Sequence, residues 1–453
     1  MVDIAARQRE TYEALYRLDD APFIAERPAL FSPAAAAQDD ANLKGCFGRF
    51  VQILLPLEYT NWVEESVAHV QSCYLGDWTS LNKVRVQGRQ ALEFLSQAGL
   101  NDLSRFEIGQ IKHHVQLDEN GWVASEGILL RLGPEEFMYT AGSCDWLAWR
   151  LRQGGWDADL TDISPDQFIF GVQGPTSLFA LEQATGESLR DIGFNRSREA
   201  QVGGMRVRVL RTGISGELGY EVHGPADDAN EVWRAILAGG TESGIRQLGF
   251  RAQPVQHIEA GIATNGLDYL PAAIITPGAP RQFRPGSMGG SFVPSNGVTD
   301  YFRKPGELGW GPRRLPAHDF LGRDALAADT AQGGPARVLA GLIWNDADVL
   351  SVFAALLGDG DLPEQMDIPR RLGPSFDQVL VAGHPVGVST GRALSPQLRA
   401  TISLCVIDRD HAAPGTDVTV VWGRPGTPQR EIRATIDVLP FKPDHRRIDV
   451  TKL

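Results

Sequence analysis

Arg211-Thr-Gly-Ile-Ser-Gly-Glu-Leu-Gly-Tyr-Glu221 is the stretch on which the reading of this chain turns. Before it, Met205 to Leu210 alternates apolar and cationic side chains; after it, Tyr220 to His223 is again strand-like, so a turn joins two strands. Gly213, Gly216 and Gly219 let that turn take positive φ or come close to a ligand. They hold Glu217 on a rigid elbow. A carboxylate fixed in this way can accept two parallel hydrogen bonds from an amidine-like edge, whereas in a plain hairpin it would only be solvated.

The 453 residues suffice for two or three domains with their own cores, and 43% hydrophobic with 22% charged residues is the composition of an ordinary globular protein. No apolar run reaches the roughly 20 residues that span a bilayer, and Met1 to Glu26 lacks a basic start and an apolar signal core. The expectation is a cytoplasmic protein. Cys46, Cys73, Cys144 and Cys405 are scattered, with neither metal-ligand spacing nor a disulfide framework. A net charge of −13 argues against a nucleic-acid partner and against anionic membranes.

Along the chain, residues 1–45 read as an arm with a polar helical stretch and an Ala/Pro-rich segment. Residues 46–280 mix strands (83–87, 113–117, 127–132) with helices (90–98, 175–185, 226–238), an α+β pattern. Residues 281–335 read as a substrate-side insertion and linker, the Gly/Pro-rich run from Pro271 to Gly290 being loop. In 336–453 short strands return at regular spacing, for which a small antiparallel barrel is the natural closure.

The turn at 212–221 has company. Gly121-Trp-Val-Ala-Ser-Glu-Gly-Ile-Leu-Leu-Arg131, Val172-Gln-Gly-Pro-Thr-Ser177, His257-Ile-Glu-Ala-Gly261, Asp319-Phe-Leu-Gly-Arg-Asp-Ala-Leu326 and Pro385-Val-Gly-Val-Ser-Thr-Gly391 follow in order across nearly the whole chain. Together they resemble the T-protein of the glycine cleavage system and its folate-dependent relatives. The resemblance implies two interleaved α/β domains around a central folate channel, closed by a C-terminal antiparallel β-barrel. It implies tetrahydrofolate as the cofactor and no metal, with Glu217 gripping the pterin and Gln173, Arg251, Gln253, Val123 and Phe170 completing the folate site. Arg206, Arg251 and Arg281 are available for the anionic folate tail.

Where the aminomethyltransferases carry a catalytic aspartate, this chain has Ser125, followed by Glu126, which alternation along a strand points to the opposite face. Glu58-Tyr-Thr-Asn-Trp62, Gly290-Ser-Phe-Val-Pro-Ser295, Leu308-Gly-Trp-Gly311 and Ala400-Thr-Ile-Ser-Leu404 resemble instead the tetrahydrofolate-dependent aryl O-demethylases of the vanillate and syringate type. That implies a small aromatic ether as substrate, either methoxy or, as in sesamin-type lignans, methylenedioxy. The departing oxygen needs a proton or a hydrogen bond, because phenolate leaves poorly at neutral pH. His257 is the first candidate for that donor, with Tyr220, Asp77 and Ser125 beside it, and Trp78, Tyr59, Trp62 and Tyr269 are candidates for the substrate wall. An amine or sulfonium donor, or a non-catalytic folate-binding role, are the alternatives. The oligomeric state is left open.

Overall fold

The computed structural model describes residues 30–42, 44–51, 53–279, 288–312, 314–370 and 373–453. β1 (Leu30–Phe31) runs parallel to β3 (Ile53–Pro56), which pairs antiparallel with β2 (Phe47–Phe50). β4 (Cys73–Asp77) then starts a sheet that the chain leaves at once. The next five strands, β5 (Asn82–Gln87), β6 (Ile111–Leu117), β7 (Val123–Arg131), β8 (Glu136–Ala141) and β9 (Asp159–Asp162), form a second sheet in the order β6-β7-β8-β5-β9. Only afterwards do β10 (Gln167–Gln173), β11 (Ser197–Val202), β12 (Met205–Leu210), β13 (Gly219–Pro225) and β14 (Ile245–Leu248) complete the first, in the order β11-β12-β13-β10-β4-β14. One sheet is thus inserted within the sequence of the other.

β15 (Arg337–Trp344), β16 (Asp377–Val381), β17 (His384–Ser395), β18 (Ala400–Asp408), β19 (Asp417–Trp422) and β20 (Arg430–Asp437) close into a six-stranded barrel in the order β15-β18-β17-β16-β19-β20. Every pairing in it is antiparallel. The α+β class with two interleaved α/β units and a C-terminal barrel is therefore the architecture of this chain.

Several elements differ from the sequence reading. β7 starts at Val123 rather than Gly127, because the β6–β7 register slips from Gln116↔Ser125 to Leu117↔Val123 and absorbs Ala124 as a bulge. The helix expected from Pro175 is Ser177–Thr185, and the one expected from Ala226 opens as a short 3₁₀ turn before Ala229–Gly239. The described part of the N-terminal arm is built into the fold: Ser32 Oγ and Gln38 Nε2 each donate to Asp77 Oδ2 at 2.6 Å. The polar helical stretch before Leu30, and residues 280–287 with Arg281, lie outside the described residues.

Alternation along the strands decides where the cleft lies. On the first sheet Phe168, Phe170, Val172, Val209, Tyr220 and Val222 face a helical layer that includes Leu178, Leu181 and Trp233. The opposite face carries Gly171, Gln173, Leu210 and Glu221. On the second sheet Leu129, Phe137 and Tyr139 pack against helices Ala91–Ala98 and Asp145–Gly154. Its other face carries Ile111, Leu130 and Met138, which cluster with Leu210 of the first sheet. The two sheets meet through Leu210 on one and Ile111, Leu130 and Met138 on the other.

His114, on the helix side of β6, is fully buried; its Nε2 donates to the Leu95 carbonyl at 2.8 Å and its Nδ1 accepts from Gln116 Nε2 at 3.2 Å. Both contacts suit the neutral ring, and burial pushes its pKa down to about 4. Near pH 5 the unfolded chain binds a proton there that the native one does not, so stability falls as pH drops from about 6.5 toward about 4. This group should remove roughly 2 kcal/mol of stability between pH 7 and pH 5. Urea unfolding at the two pH values checks this: His114→Asn should be less stable at pH 7 and lose less on acidification.

Candidate active site

The floor of the cleft is made of glycine. Gly171 of β10 sits between Gly76 of β4 and Glu221 of β13. A Cβ on Gly76 would stand 2.2 Å from the Trp78 ring and one on Gly171 3.0 Å from it, so the indole lies across both residues. It also stacks on Tyr74, with centroids 5.9 Å apart and planes 24° off parallel. Trp78 therefore presents a flat apolar ring over the two glycines.

Gln173 organises the glycine-rich turn. Its Oε1 accepts from the backbone N–H groups of Ile214 at 3.1 Å and Ser215 at 3.0 Å. The turn passes so close that a Cβ on Gly213 or Gly219 would lie 2.5 or 2.7 Å from the Gln173 side chain. Next to it Glu221, 22% exposed, accepts from His223 Nε2 at 2.9 Å through Oε2. Its Oε1 has no protein partner among the described residues.

Glu217 has a different task. Lys442 Nζ donates to its Oε1 at 2.6 Å and His445 Nδ1 to its Oε2 at 2.7 Å, with the carboxylate only 6% exposed. Gly216, at φ +77°, admits Lys442 to within about van der Waals distance. Both oxygens thus fasten the segment that follows the barrel to the glycine turn. Glu217, expected at the pterin, is thus engaged by Lys442 and His445, while Glu221, four residues on, keeps one oxygen without a protein partner among the described residues.

Other expected residues fall outside the cleft. Phe170 and Tyr220 point into the helical core, Phe170 stacked on Phe168 at 4.2 Å and edge-on to Trp233 at 4.9 Å. Tyr59 is buried in the same cluster, and Trp62 is the first residue of helix Trp62–Gln71. Asp77 has both oxygens engaged, by Ser32, Gln38 and the Thr79 N–H, and so has no acid role open to it. Arg251 is drawn to Glu58 at 2.6 Å, and Arg206 is held by Glu199 at 2.8 Å on the β11–β12 hairpin.

Gln253 is buried and donates to the Asp77 carbonyl at 3.2 Å. Val123 and Tyr269 pack between the second sheet and the barrel. His257 lies 3.8 Å from Asp268 beneath the barrel, 4% exposed, and burial lowers its pKa. Ser125 Oγ, 1% exposed, faces Tyr139 Oη at 3.3 Å on the helix side of β7.

Sequence reasoning missed a second pair. Glu126 points to the inter-sheet side, and His113 of β6, diagonally across from it, sets Nε2 2.9 Å from Glu126 Oε2. The two are 34% and 20% exposed, and His113 lines an open groove of about 520 Å³ with Lys112, Asn195 and Arg447. Period-two alternation from Ile111 would have placed His113 on this face.

A family model described as the GCVT N-terminal domain matches residues 38–273. The chain belongs to the GCVT family. That places it among the folate-dependent one-carbon transferases of the T-protein type. Among curated relatives it is 37% identical over 418 residues to a sesamin methylene transferase from Sinomonas sp., covering 85% of this chain and 90% of that one. It is 29% identical over 421 residues to a syringate O-demethylase from Sphingobium sp., with the same coverage. Among solved structures, the glycine cleavage system aminomethyltransferase T from Bartonella henselae superposes with a TM-score of 0.69 at 22% identity, covering 92% of this chain and 98% of that one; this likeness speaks for the fold. Among the described residues no helix is long and apolar enough to cross a membrane.

Proposed function

We propose that this GCVT-family chain binds tetrahydrofolate between its two sheets and moves a methyl or methylene group to it from an aromatic ether, releasing a phenol or catechol. The observation that carries this is the indole of Trp78 lying flat on Gly76 and Gly171, with Glu221 beside Gly171. A flat heterocycle can stack on the outer face of that half-buried indole, and the free Glu221 oxygen can accept from its N–H edge. Bound there, tetrahydrofolate would supply the nitrogen nucleophile. The protein's share is to orient it through Glu221 and Gln173, keep water off with Trp78, and deliver a proton to the leaving oxygen.

Two observations favour an ether over an amine donor. The strand position of Ser125 carries a hydroxyl turned toward Tyr139 in place of a cleft carboxylate, and the two relatives named above with ether-type donors cover 90% of their own lengths. The higher identity to the sesamin enzyme favours methylenedioxy over methoxy substrates.

Mass spectrometry of the protein with tetrahydrofolate and a panel of methoxy and methylenedioxy aromatics tests this reading. Catechol should form from methylenedioxy donors, strictly with tetrahydrofolate and with a folate product at the methylene level. A panel that yields no phenolic product above a heat-killed control refutes it.

A further inference from the structure

We infer that His113, oriented by Glu126, is the acid that protonates the departing aryl oxygen. This rests on the ether reading above and names the residue which that reading requires.

His113 shares the inter-sheet face with Ile111, whose cluster contains Leu210, and Leu210 pairs in register with Glu221. Acid and anchor thus stand on the facing sides of the two sheets. The imidazole is held on two sides: Glu126 Oε2 takes Nε2 at 2.9 Å, and Trp310 meets the ring edge-on, centroids 5.0 Å apart at 84°. Trp310 is itself braced edge-on by Tyr269 at 5.9 Å. Nδ1 has no protein partner among the described residues and belongs to a ring that is 34% exposed. A carboxylate on one nitrogen fixes the ring and leaves the other nitrogen turned outward, the arrangement of a general acid.

The rivals are placed otherwise. His257 and Ser125 are buried away from the groove, and Asp77 has both oxygens committed. His223, 6% exposed, spends Nε2 on Glu221.

As the carbon–oxygen bond breaks, its electron pair stays on oxygen, which takes the proton from His113 Nδ1. The carbon's new bond is to a folate nitrogen, and the proton shed by that nitrogen returns to Nδ1. The imidazole ends as it began. A methylenedioxy donor goes through the exchange twice, once for each oxygen, and no oxidant is consumed.

The test compares wild type with His113→Asn, Glu126→Gln and His223→Asn in single-turnover transfer from ethers whose phenols span a range of acidity. His113→Asn should slow transfer from an unactivated ether by about 10²- to 10⁴-fold, the span of general-acid effects. A nitro-substituted ether, whose phenolate leaves unaided, should slow less than about tenfold. Equal losses on both donors, or a leaving-group dependence that follows His223, would overturn the assignment. A second readout needs no turnover: 4-nitrocatechol added to the tetrahydrofolate-saturated protein should bind wild type as the phenolate, with a red-shifted absorbance, and bind His113→Asn without that shift. An identical spectrum in both proteins also overturns it. Glu126→Gln should fall between the two, and calorimetric tetrahydrofolate affinity should stay within about threefold of wild type in both variants of the pair, because neither residue contacts the anchor. Were wild type inert toward every ether, the ether reading would fail, while the nitrocatechol spectrum would still report on His113.

Discussion

Glu221→Gln binds tetrahydrofolate about tenfold to a hundredfold more weakly than wild type, the worth of one or two hydrogen bonds to an ionised carboxylate in a partly closed site. Glutamine keeps the size of the side chain, and its amide still meets His223, so the fold is preserved and the loss reads as lost recognition. Glu217→Gln provides the contrast. It weakens the grip on Lys442 and His445 and lowers the denaturation midpoint, with the smaller effect on folate affinity. Isothermal titration and urea unfolding of both variants separate the two roles. If Glu217→Gln abolished binding while Glu221→Gln left it intact, the anchor would have to be reassigned.

Glu259→Ala should produce the largest loss of stability. Helix Gln253–Glu259 ends in a carboxyl group whose Oε2 meets His69 Nε2 at 2.8 Å and whose Oε1 accepts from Ser395 Oγ at 2.6 Å. All three side chains are fully buried, and the Glu259 carbonyl also accepts the Phe441 N–H at 2.9 Å. The group ties helix Trp62–Gln71, the barrel strand β17 and the segment after the barrel to one point. Alanine leaves a buried imidazole and a hydroxyl without partners and opens a cavity beside them. A cost of about 3–5 kcal/mol follows. The midpoint of urea unfolding measures it, and a loss under about 1 kcal/mol would show that water or repacking satisfies the orphaned groups.

Much of the architecture was legible because strand periodicity and turn chemistry are local. Met205–Leu210 emerged at its sequence-read bounds, whereas β7 began four residues earlier because a bulge leaves no compositional mark. The cleft was harder to read, for a reason visible in the residues themselves. Phe170 and Gln173, both assigned to the folate site, stand three apart on one strand and must face opposite ways; only Gln173 faces the glycine turn. Tyr220 and Glu221 are adjacent and divide in the same manner. Strand phase, applied to the motif, would have moved the anchor from the turn to the strand. What no local pattern contains is the partner of Glu217, because Lys442 and His445 lie 225 and 228 residues further along. The same holds for Asp77, claimed by Ser32 and Gln38 of the arm.

The insertion of one sheet within the other sets an order for synthesis. β5 to β9 are contiguous in sequence, so that sheet can assemble as soon as Asp162 leaves the ribosome. β4 is made before it yet waits between β10 and β14, and its second neighbour arrives only with Leu248. Both edges of that strand are open until Gln173 emerges, and one stays open until Leu248. A pause in translation between these two points would favour aggregation or chaperone capture, and slow codons after Leu248 would be harmless by comparison.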